Sequence, residues 1–183
     1  ETPAAPDQPE AAIEPELYVS MIWHQHQPFY ATDPNTGLVA APWVRLHAAK
    51  DYVDMVKMLE EFPEVHATFN LTPSLIKQLD DLAAGKRDLP WEMTLVPASE
   101  LTAEEKTYLL LRFFDTNGKI IARFPRYEEL MDKRGGTSDA QISAALEVWE
   151  DQDFLDLQVL FNLALTDPDF LAAEPLAGLV SRG

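Results

Sequence analysis

A chain of 183 residues with 46% apolar side chains is long enough for one domain with a buried core, or for part of a larger one, since single domains commonly run ~100–200 residues. Its 14 basic residues against 31 acidic ones give a net charge of -17, which repels nucleic acid and anionic membrane surfaces and leaves neutral partners as the better fit. Cysteine is absent, which excludes disulfides, thiolate metal ligands and cysteine nucleophiles, and no apolar run approaches the ~18 residues of a membrane span.

Residues 1–16, ETPAAPDQPEAAIEPE, are rich in proline and glutamate with no amphipathic period, the composition of a disordered tether. A chain starting at Glu1 is read either as the product of a removed signal sequence, which places it outside the cytoplasm, or as a cloning boundary, which leaves a cytoplasmic placement equally open. LYVSMIW (17–23) then reads as a short buried strand, bounded by the proline-rich tail and Pro28, with His24 and His26 at its end. From Pro42 the spacing of Leu46, Ala49, Val53, Val56 and Leu59 predicts one amphipathic helix, with Lys50, Asp51, Asp54, Lys57 and Glu60 off the stripe and Phe62-Pro63 stopping it. VHATFN (65–70) is a second strand. Thr72-Pro73 opens a further helix through Leu75, Ile76, Leu79 and Leu82, closed by Gly85. Strand, helix, strand, helix argues for parallel strands joined by crossovers, an architecture that gathers active residues at the strands' carboxyl ends. HQHQP and FNLTPS both sit at such ends.

Pro90 and Pro97 break the chain, and residues 98–183 read as helix after helix. Thr102-Ala-Glu-Glu105 and Ser138-Asp-Ala-Gln141 are capping boxes, RYEELMDKRGG is a short helix ended by Gly135, and FLDLQVLFNLAL (154–165) is apolar nearly all round and so a buried helix stopped at Asp167-Pro168. The final LAGLVSRG carries an arginine and a glycine where a helix would close. Three units follow: a tail over 1–16, an α/β unit over 17–97 and a helical unit over 98–183.

The densest chemistry is MIWHQHQPFY (21–30). Alternation along a strand puts His24 and His26 on one side. Either imidazole could simply satisfy buried carbonyls beside the Pro28 turn, the commonest fate of a histidine. H-x-H on a first strand is also a zinc-hydrolase geometry; it needs a further ligand, and His47 and His66 show no zinc spacing. Histidine, glutamine and flanking aromatics equally supply donors for hydroxyl groups and flat faces for sugar rings, the reading that the aromatics and the acidic charge favour.

YVSMIWHQHQPFY, followed by APWVRLHAAKDYVDMVKMLEEFP and VHATFNLTPSLIKQL, resembles the opening of family 57 glycoside hydrolases, the α-amylase, amylopullulanase, branching-enzyme and glucanotransferase group. That family's HQP signature stands at His26-Gln27-Pro28. The likeness is close over 17–82 and looser beyond, where DLQVLFNLALTDP is similar to the helical insertion of larger members. The resemblance implies an α/β fold, the N-terminal part of an incomplete (β/α)7 TIM-like barrel followed by a helical insertion, acting on α-glucans by retaining double displacement with no metal and no cofactor. A glutamate nucleophile and an aspartate acid/base would sit ~5–5.5 Å apart.

No stretch here matches the motifs of those two carboxylates, so no catalytic residue is assigned and the chain alone is expected to be inactive. Glu60, Glu61, Glu104, Glu105, Glu128 and Glu129 fall in helical charge patterns that read as solvated faces. The expected role is one wall of a sugar site, completed by the remainder of the catalytic domain. His26 is the leading substrate-binding candidate. His24, Gln25 and Gln27 come next, then Trp43 and His47 at the rim and Asn70 at the end of the second strand. Trp43 could instead plug the helix against the barrel, and Asn70 could cap the following helix. Two other functions stay open: a metal-dependent hydrolase or deacetylase using His24 and His26, and a non-catalytic module whose helical unit binds a protein.

Overall fold

The computed structural model describes residues 17–172. The predicted tail over 1–16 and the closing LAGLVSRG lie outside them. Strands β1 (Ile22–Gln25) and β2 (Thr68–Leu71) pair in parallel, with Ile22 opposite Thr68, His24 opposite Asn70 and Gln25 opposite Leu71. The expected parallel pairing is therefore present, but the first strand lies closer to the histidines than the apolar run suggested. A strand is defined by its partner. β2 begins only at Thr68, whose N–H reaches Met21 O at 2.9 Å, and among the described residues Leu17, Tyr18 and Val19 have no strand beside them and stay about three-quarters exposed. The expected buried strand over 17–23 is corrected accordingly.

The helix expected from Pro42 is two helices, α1 (Trp43–Ala48) and α2 (Asp51–Glu60), parted at Lys50, whose φ of -145° and ψ of -80° are not helical. α1 buries Val44 and Leu46, whereas α2 buries nothing, and its predicted core positions Val53 and Val56 are exposed. α3 (Pro73–Ala83) starts at Thr72 as expected and packs Leu75 and Gln78 inward against the β1 turn and α1. Thr72 takes the extended N-cap conformation without a side-chain cap. Pro90 does not break the chain: it occupies the first turn of α4 (Leu89–Leu95), where a missing N–H costs nothing, and Asp88 caps that helix by accepting Trp91 N–H at 2.8 Å.

The helical unit comprises α5 (Ala103–Arg112), α6 (Gly118–Ile121), α7 (Pro125–Arg134), α8 (Asp139–Val148), α9 (Asp151–Ala164) and α10 (Pro168–Ala172). Thr102 and Glu105 form their reciprocal box before α5, at 3.2 and 2.8 Å, and before α8 the Gln141 side chain reaches back to the Ser138 hydroxyl at 2.7 Å. α7 ends where Gly135 turns left-handed at φ +78°, a conformation that costs glycine least. The main core lies here: Leu109, Leu110, Phe113, Tyr127, Leu130, Phe154, Leu157 and Phe161 are buried together, with Phe113 stacked on Phe161 at 4.2 Å. Each such side chain contributes roughly 1.5–3 kcal/mol by leaving water. α9 is less uniformly buried than its sequence suggested, since Leu155 and Val159 face out.

Two polar side chains, one from each unit, hold α4. Arg45 on α1 grips Asp88 with two bonds, at 2.6 and 3.1 Å, and lays its guanidinium over Trp91 at 4.9 Å. Buried Gln158 on α9 donates to Met93 O and Val96 O, at 2.7 and 2.8 Å, holding the end of α4. α4 is thus clamped from both sides, and α1 is fixed facing the helical unit.

Candidate functional site

The HQHQP segment leaves β1 at Gln25 and is held by α3. Ser74 Oγ donates to Gln27 O at 3.0 Å, and Gln78 Nε2 donates to Pro28 O at 3.0 Å while its oxygen accepts Tyr30 N–H at 2.9 Å. Thr72 N–H reaches Gln25 O at 3.3 Å. Every one of these bonds engages backbone of the segment, so the turn is rigid while its imidazoles stay available. His26 is exposed, with no hydrogen bond to its side chain among the described residues.

His24 and Asn70 meet across the sheet, Asn70 Nδ2 standing 3.0 Å from His24 Nδ1. An amide nitrogen only donates, so Nδ1 accepts and neutral His24 carries its proton on Nε2, presenting a donor. Gln25 is buried and its amide lies 3.4 Å from Tyr52 O, making it a tie between β1 and α2. Gln27 accepts Tyr30 O–H at 2.7 Å.

The break between α1 and α2 folds a second group toward the same place. His47 Nδ1 bonds Asp51 Oδ2, and Lys50 Nζ lies 3.5 Å from the other oxygen of that carboxylate. A carboxylate accepts the Nδ1 proton, so that in the neutral form of the ring His47 Nε2 is an acceptor. The His47 ring lies between Trp43 and Tyr52, at centroid distances of 6.4 and 6.1 Å. Burial pushes the Tyr52 phenol up, and its hydroxyl finds no partner among the described residues; Gln27 stands beside it without reaching bonding geometry.

His24, His26, Gln27, His47, Asp51, Tyr52 and Asp54 line one open recess at the strand ends, with Met55 and Met58 as its apolar side. Trp43 is not among its walls; it lines two neighbouring hollows against the helical unit. Lys50, Asp51, Tyr52 and Asp54 were missed by sequence reading, which set the charged ones on the outer face of a single helix. The spacing Trp43, His47, Asp51, four residues apart each time, was the available signal. Burial, with the Asp167 carboxylate beside it, raises the Asp54 carboxyl above its ordinary 3.8, against the opposing pull of Lys50 and Lys57. Among the described residues no three His, Asp or Glu side chains converge as metal ligands, so the H-x-H pair has no third ligand there. The recess offers donors, acceptors and flat apolar faces of mixed sign, the chemistry of a neutral polyhydroxylated ligand.

No curated protein and no solved structure matches the chain significantly. The family model described as glycosyl hydrolase family 57 matches residues 20–173, which include β1, the recess and nearly all of the helical unit. The chain therefore belongs to glycosyl hydrolase family 57.

Proposed function

We propose that these residues form the N-terminal part of a family 57 catalytic barrel acting on α-glucans by a retaining mechanism, with the recess at the end of β1 as one wall of the sugar site. The observation that carries this reading is His26: a side chain without a hydrogen-bond partner among the described residues, on a turn locked by Ser74 and Gln78, at the carboxyl end of a parallel strand. His24 Nε2 and His26 donate to sugar hydroxyls, His47 Nε2 accepts, and Asp51 holds His47 in that state. The glutamate nucleophile and aspartate acid/base of the retaining scheme are assigned to no residue of this chain. The remainder of the catalytic domain supplies them and covers what is bare here, namely the apolar outer face of α2 at Val53 and Val56 and the exposed sheet residues Ile22 and Leu71. A two-stranded sheet is marginal by itself, which fits a sheet meant to continue.

The test is turnover of a soluble maltooligosaccharide by the protein carrying the whole catalytic unit and by its His26→Ala variant. A donor aimed at a sugar distorting toward an oxocarbenium ion serves the transition state more than the ground state, so kcat should fall by about 10²–10³ with the fold intact. An unchanged kcat removes His26 from the site. The 183-residue chain alone should show no turnover.

A further inference from the structure

The recess does not stand alone. It shares His47, Lys50 and Asp51 with a hollow between α1 and the helical unit, and that hollow shares Trp43 and Asp115 with a third one bounded by α4 and α5. The three therefore adjoin, a row of hollows forming a trough along α1 from the end of β1 to Tyr108 on α5. Along its floor, His47 and Trp43 occupy successive turns of α1 with ring centroids 6.4 Å apart.

The far wall belongs to the helical unit. Asn117 spends its side-chain oxygen on Lys119 N–H at 2.9 Å, and its amide protons have no partner among the described residues. Arg123 has no carboxylate partner among the described residues and is exposed. Of the other charges along the trough, Lys50 pairs with Asp51 at 3.5 Å and Arg112 with Asp115 at 3.6 Å, while Asp54 has no cationic partner within salt-bridge distance among the described residues; with Arg123 the count is three cations to three anions. In a chain of net charge -17, a trough whose cations and anions balance is poorly suited to an ion and well suited to a neutral chain of hydroxyls. Flat rings on the floor and planar donors on the wall are complementary to the two kinds of surface that a sugar ring presents.

We propose that this trough binds the extended part of an oligomeric α-glucan, with Trp43, Asn117 and Arg123 contacting glucose units remote from His26, so that the helical unit sets the preference for substrate length. The inference rests on the reading of the β1 end as the sugar site. Binding energy collected this far from the reacting bond is available to orient and distort the sugar at it.

The experiment is a calorimetric titration of the 183-residue chain with maltotriose and maltoheptaose. Maltoheptaose should bind about ten-fold more tightly, the contribution of one ring contact with one or two net hydrogen bonds. The variant Asn117→Asp/Arg123→Ala keeps the oxygen that caps α6 and removes the donors. It should bring maltoheptaose down to the maltotriose affinity and leave maltotriose unchanged, whereas His26→Ala should weaken both sugars by the same factor. Unchanged circular dichroism of each variant excludes unfolding as the cause. If the double variant keeps the length advantage while His26→Ala still weakens both sugars, the trough is overturned and the β1 site stands. Absence of glucan binding by the wild-type chain overturns the trough, and the β1 site is then judged by the turnover of the whole catalytic unit and its His26→Ala variant.

Discussion

Two carboxylates show how differently one side chain type is treated in this fold. Asp153, at the start of α9, is buried, which opposes its ionisation, yet it accepts from Lys133 Nζ at 2.8 Å, from Glu150 N–H at 2.7 Å and from Arg126 Nη2 at 2.7 Å, and the three together hold it below the usual carboxylate range. A depressed folded value means that its stabilisation is present above the ordinary value and is lost as pH falls through the folded one. Asp153→Asn should cost about 2–3 kcal/mol in urea unfolding at pH 7, toward the lower end for a broken buried pair because Arg126 and Lys133 remain about one-third exposed and screened. Asp54 has the opposite sign. Its raised value means that the folded state holds the proton better, so its contribution is complete below 3.8 and disappears as pH rises through the raised value. Asp54→Asn should therefore raise Tm at pH 7 and leave it nearly unchanged at pH 3; equal shifts at both pH values would sink the assignment. Neither carboxylate could be sorted from its sequence neighbours, because Lys133, Arg126 and Asp167 are brought to them by tertiary packing.

At the scale of elements, Asp88 carries more than its place in a proline-broken loop suggests. It caps α4, receives both bonds from Arg45 and is only 4% exposed. Asp88→Ala would remove a cap and strand a partly buried guanidinium, with an expected loss of about 3–4 kcal/mol. Thr102→Ala, which removes the exposed box before α5, should cost about 1 kcal/mol. A thermal unfolding series that ranks Thr102→Ala as the worse of the two would contradict this account. The contrast also marks what was legible. Thr102 and Glu105, Ser138 and Gln141, and Gly135 announce helix ends through local chemistry, and all three boundaries stand. The shifted limits of β1 and the existence of α4 depend on remote partners, Thr68 for Met21 and Gln158 for the end of α4, whereas the break in the helix over 43–60 is bridged by a local His47–Asp51 bond that the continuous apolar stripe concealed. The same division runs through the site. HQHQP was visible as a cluster, whereas Asp51, Tyr52 and Asp54 join it only because the chain bends at Lys50.

Across the whole molecule the stabilising burial is uneven, and the unevenness has a measurable consequence. The helical unit holds the large apolar side chains with almost no exposure, whereas α2 buries none and the sheet leaves Ile22 and Leu71 about half exposed. Local opening free energy follows local burial, so amides in weakly packed elements exchange through small fluctuations and those of a core exchange only through global unfolding. Hydrogen exchange of the 183-residue chain should therefore show α2 and β2 exchanging orders of magnitude faster than the buried turns of α5 and α9. In the protein carrying the whole catalytic unit, the slow helices should change little while α2 and β2 become protected, since new neighbours would cover Val53, Val56 and Leu71. Protection of α2 already equal to that of α9 in the short chain would mean that the α/β layer is stable by itself, and the case for further strands beside it would fall.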